Sequence, residues 1–135
     1  MSLEELTVTG VIETGDARSP VYPVPHSVPI KVDRDTGLTF AAKVVRPGGA
    51  RWDPPTETTA TFAIWSRRVA EPATFARVTG TYGARGKWSF DISPAVLRSV
   101  PLGTHLYEVG VETLAGERAI IIPPSYFTLS CGGAF

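Results

Sequence analysis

The stretch DISPAVLRSVPLGTHLYEVGV, Asp91 to Val111, places a serine, a proline-led helical turn, a second proline, a glycine and a tyrosine directly ahead of an alternating strand pattern. Ser93 followed by Pro94 is a helix start, with a hydroxyl N-cap and then a residue whose fixed φ and missing amide suit the first helical position. The spacing predicts a short helix over Pro94–Ser99, because Pro101 forbids extension. Leu97 and Val100, three residues apart, can close one end of a core. Gly103 then allows a tight turn into the strand that carries Tyr107.

Outward from this connection, apolar residues recur with period two, the spacing of a half-buried strand. In GLTFAAKVV the inward set is Leu38, Phe40, Ala42 and Val44. In TATFAIWSR, Ala60, Phe62 and Ile64 oppose Thr61, Ala63 and Trp65. KWSFDIS turns Trp88, Phe90 and Ile92 inward. HLYEVGVET buries Tyr107, Val109 and Val111 and exposes Glu108 and Glu112, and SYFTLS sets Phe127 and Leu129 against Tyr126, Thr128 and Ser130. DRDTG, YGARG and LAGE carry turn chemistry, with YGARG expected to join a strand over Phe75–Thr81 to the Trp88 strand. No segment supplies ten or more residues at helical period. The expectation is an all-β chain: an antiparallel sandwich of about seven short strands with one short helix.

The first 26 residues differ in kind. A strand-like run, Leu6–Ile12, gives way to a polar segment with Pro20, Pro23 and Pro25, which favour extended backbone with few internal hydrogen bonds. Residues 1–26 read as an extended N-terminal arm, 27–131 as the sandwich and 132–135 as a tail. The competing reading makes Leu6–Ile12 the first strand of the sandwich.

Composition narrows the function. The chain has 135 residues, with Lys plus Arg at 13 and Asp plus Glu at 13, a formal net charge of zero. That balance argues against nucleic-acid and polybasic membrane contacts and suits a subunit that lives among others. One cysteine, Cys131, permits no internal disulfide and points to folding in a reducing cytosol. The N-terminus does not read as a signal peptide, and no run is long enough to span a bilayer.

From Val28 to Leu129 the chain resembles small immunoglobulin-like proteins and modules of tailed-phage virions, including baseplate and minor tail proteins. The resemblance runs through IKVDRDTGLTFAAKVV, ATFAIW, WSFDIS, the short helix, LG…YEVGVET and the closing LAGERAIIIPPSYFTLS. PLGTHLYEVGV is similar to the corner between strands E and F of fibronectin type III domains, where a tyrosine bonds back to the preceding loop. Here Pro101 and Leu102 are reversed in order and Tyr107 lies four residues after Gly103, so the resemblance carries the corner without carrying that bond. It implies a structural subunit of a virion, of the minor tail or tail-tip kind, folded in the host cytoplasm before assembly. The implied partners are other tail or capsid subunits, and copies of itself in a symmetric ring. A capsid decoration protein and a module binding a host glycan stand as alternatives.

Catalytic, cofactor and metal sites are not expected. His26 and His105 lack the spacing of a zinc site, and Cys131 near the terminus lacks a base. Gly80, Gly83 and Gly86 lie between strand patterns rather than ahead of a helix, and Asp33/Asp35 is a solvated turn. The candidate partner-binding residues are the aromatics outside the alternation: Tyr22 in the arm, Trp52 in the loop RPGGARWDPP and Tyr82 at a hairpin tip. For Trp52 a protein contact, a sugar contact and packing over the domain's own end all remain open.

Overall fold

The computed structural model describes residues 4–11, 28–45, 53–66, 74–83, 86–114, 116 and 118–131. Among them nine strands and one helix form an all-β sandwich: β1 (Glu4–Val11), β2 (Ile30–Asp33), β3 (Leu38–Val45), β4 (Thr59–Trp65), β5 (Thr74–Thr79), β6 (Thr81–Tyr82), β7 (Lys87–Ile92), α1 (Pro94–Leu97), β8 (Gly103–Glu112) and β9 (Arg118–Ser130). One sheet has the order β1-β3-β7-β6 and the other β2-β9-β8-β4-β5.

The alternation places side chains as expected. Phe40, Phe62, Phe90, Ile92, Tyr107, Phe127 and Leu129 are all fully enclosed. Phe62 is the hub of the aromatic core: it stacks on Tyr107 with ring centroids 4.8 Å apart and meets Phe40 edge-on at 5.2 Å. Aromatic pairs in these offset and edge geometries add to the burial term. Leu97 and Val100 close the end of the core beneath α1, which is shorter than Pro94–Ser99.

Three features go beyond the sequence reading or depart from it. Residues 4–11 form β1, a strand of the sheet as in the competing reading of Leu6–Ile12, and it lies parallel to β3, with Leu6 opposite Phe40 and Val8 opposite Ala42. The run from Phe75 to Thr81 is not one strand. β5 pairs with β4, whereas β6 pairs with β7 in the opposite sheet, and the chain crosses between sheets at Gly80. A β-carbon on Gly80 would lie 2.6 Å from the Phe90 ring, so the crossing requires glycine. Finally, the sandwich is not wholly antiparallel, since β2 also runs parallel to β9, with Ile30 opposite Phe127.

β9 contains Pro123 and Pro124, residues that donate no ladder bond. β2 flanks it only from Phe127 onward, so the prolines fall where that flank is not yet paired among the described residues. Side chains take over at this point. The Ser125 hydroxyl accepts from the Val28 amide at 3.0 Å and donates to the Pro123 carbonyl at 2.7 Å. The Tyr107 hydroxyl donates to the Val28 carbonyl. Two buried side chains thus fix the entry to β2.

Candidate docking surface

Two polar side chains inside the sandwich, His105 and Tyr107, are held by backbone carbonyls. His105 bonds the Pro101 carbonyl through Nε2 at 2.6 Å, which makes Nε2 the protonated nitrogen, and its ring meets Phe75 edge-on at 4.9 Å. His105 therefore ties the start of β8 back to the loop that precedes it. Tyr107 instead reaches 79 positions upstream to Val28. Burial holds the Tyr107 phenol well above the ordinary tyrosine range, with the Ser125 contact opposing the shift.

Of the three aromatics proposed from sequence, Tyr22 and Trp52 lie outside the described residues. Tyr82 is not a solvent-facing side chain at a hairpin tip. It is half-buried, packs on Trp88 with centroids 5.1 Å apart, and its hydroxyl accepts the Gly86 amide at 3.0 Å. The ring thereby secures the turn into β7. Beside it, the buried Trp88 indole N–H has no hydrogen-bond partner among the described residues.

Elsewhere, Arg34 Nη2 donates to Cys131 Sγ at 3.2 Å, and a cleft of about 470 Å³ is lined by Arg34, Asp35, Pro94 and Arg98. Asp35 lies in a turn in which its own amide bonds Asp33 Oδ1 at 2.8 Å. No group of three or more His, Cys, Asp or Glu side chains close enough to hold a metal occurs among the described residues.

The two outer faces of the sandwich differ in character. On the four-stranded sheet the outward side chains of β3, β6 and β7 include Thr39, Lys43, Thr81, Lys87, Ser89 and Asp91, a polar surface. On the five-stranded sheet the register sets Trp65, Leu106 and Tyr126 side by side across β4, β8 and β9. Trp65 and Leu106 are half-buried and Tyr126 is 54% exposed. The next row along the strands is Arg77, Ala63 and Glu108 across β5, β4 and β8. Beyond it, Gly110 sits beside the outward Ile120. The face thus carries a band in which apolar rows alternate with the charged pair Arg77 and Glu108.

Glu108 belongs to that band. Partial burial pushes its carboxyl pKa up, and Arg118 and then Arg77 act in the opposite sense. The signal for this face was present in the sequence, because large apolar residues occupy outward positions of two alternating runs, at Trp65 and Tyr126. Their alignment into one row depends on strand neighbours that periodicity does not specify.

No family model matches the chain, and no curated protein matches it. Among solved structures, the N-terminal domain of phage TP901-1 ORF48 is similar, with a TM-score of 0.51 and 11% sequence identity. The likeness covers 96% of this chain and 99% of that one, so it extends over the whole fold. At that identity it is a likeness of fold.

Proposed function

We propose that the chain is a non-enzymatic structural subunit of a tailed-phage virion, of the minor tail or tail-tip kind, which docks on neighbouring virion proteins. The observation that carries this reading is the near-complete mutual coverage with a domain of a phage protein. The strand order supports the finer immunoglobulin-like description. β3-β7-β6 faces β9-β8-β4 as strands B-E-D face G-F-C, and α1 occupies the connection between E and F. The histidine and tyrosine of that connection are consumed by backbone carbonyls, which suits a scaffold more than a reaction site. β1, at a sheet edge, supplies a docking surface for such neighbours.

The test is to delete residues 1–26 and follow both folding and incorporation. β1 is the edge strand of its sheet and the described core residues run from Val28 onward, so the truncated chain is expected to keep its β-type circular dichroism, less one strand, yet be missing from purified particles. Normal incorporation of the truncation would refute the docking role of this segment. Labelling the full chain on intact particles then distinguishes a tail position from a capsid position.

A further inference from the structure

We propose that the outer face of the five-stranded sheet is the interface with a second copy of this chain, packed about a twofold axis at Ala63 so that each Arg77 meets the other copy's Glu108. This goes beyond the virion reading and does not depend on it. The argument starts from the register. Arg77, Ala63 and Glu108 are Cα partners across three adjacent strands, so they form one row, positive, neutral and negative. Adjacent strands lie about 4.8 Å apart, which leaves the two charges about 9.6 Å apart at the backbone with the small Ala63 midway.

A twofold interface brings a surface patch against itself, so that residue i touches j and j touches i. Most charge patterns fail this requirement, because like charges meet. The row here satisfies it: turned over about the β4 strand direction, positive-neutral-negative lies on negative-neutral-positive. Two ion pairs form from one row. The same axis brings Trp65, next along β4 on the same face, close to its counterpart, and places Leu106 over the flank carrying β5. Sheets that pack with their strands within about 30° of each other bury an inner layer of just such side chains.

Three further observations favour a second copy over an unrelated partner. The formal net charge of zero leaves no long-range repulsion between copies. On the opposite sheet the described outward side chains of β3, β6 and β7 are polar apart from the small Ala41, so among the described residues the apolar rows lie on one side of the sandwich. Glu108 is already partly desolvated in the single chain, and the other copy's guanidinium would add to Arg118 and Arg77 in compensating that burial.

Sedimentation equilibrium of the purified full chain over a wide concentration series tests the proposal. The wild type is expected to dimerise. Arg77→Glu and Glu108→Arg are each expected to raise the dissociation constant tenfold or more, because each reversal is present twice in the dimer. The double variant Arg77→Glu/Glu108→Arg is expected to restore dimerisation, which a merely damaged surface would not do. Trp65→Asp is expected to weaken the dimer without that rescue, and circular dichroism melts confirm that each variant is folded. A wild type that stays monomeric, single reversals without effect, or a double variant that fails to recover would each overturn the assignment. A different occupant of this face, whether another virion protein or a glycan, corresponds to the monomeric outcome. Loss of particle incorporation is scored separately, so the virion reading and the dimer can fail independently.

Discussion

At Gly80 the limiting quantity is the distance to the Phe90 ring, where an added β-carbon would sit 2.6 Å away. Gly80→Ala forces either the aromatic core or the crossing between sheets to move, and overpacking of this kind costs about 1–3 kcal/mol. A thermal melt should show the loss directly. Phe62 is the converse case, since Phe62→Ala removes the hub of the ring cluster. Large-to-small changes at such sites cost about 3–5 kcal/mol, a large share of what a domain of this size has. Tyr107→Phe leaves the half-buried Val28 carbonyl without its donor, a loss of about 0.5–1.5 kcal/mol at neutral pH. Its pH dependence has a definite sign. The folded phenol holds its proton above the ordinary range near 10, whereas the unfolded chain releases it, so the folded state binds more protons there. Wild-type stability should therefore fall as pH rises above about 10, and the gap to Tyr107→Phe should narrow in denaturant titrations at those pH values. The inward facing of Tyr107 was legible from alternation with Val109 and Val111. Its partner was not, because nothing local in the sequence points from Tyr107 to Val28.

Among the elements, α1 shows how far local chemistry reaches. Ser93 and Pro94 announced its start, and the Ser93 hydroxyl accepts the Val96 amide, although at 3.4 Å. Ser93→Ala should cost about 0.5–1 kcal/mol, the low end for a cap, measured as a shift in the denaturant midpoint. The helix ends before Ser99, whose amide bonds the Val96 carbonyl three residues back at 3.3 Å instead of the carbonyl four back, while its hydroxyl faces the Val96 and Phe75 carbonyls. Strand faces were legible for the same reason as the cap: period two is a property of the chain itself. Strand neighbours were not. Thr74–Tyr82 reads as one extended run, yet it serves two sheets, and the decisive element is the absent side chain of Gly80. The parallel partners of β1 and β2 were equally hidden, since a parallel and an antiparallel strand can carry the same alternation.

For the whole molecule, the sandwich and its aromatic interior were accessible from sequence, whereas the outward row on the five-stranded sheet was not. Trp65, Leu106 and Tyr126 come from three separate strands, and only the tertiary register makes them one row. If the twofold dimer forms, its apparent melting temperature should rise with protein concentration, because association is linked to folding by mass action. The position of β9 has a consequence for how the chain comes into being. β9 lies between β2 and β8, and it carries Ile121, Ile122, Phe127 and Leu129 of the interior. Its parallel union with β2 joins positions 97 apart, Ile30 to Phe127. During synthesis β2 and β8 must therefore wait, with their apolar faces uncovered, until β9 has been made. A ribosome stalled before residue 118 would hold a half-built barrier to water, a natural client for chaperones and a poor survivor among proteases.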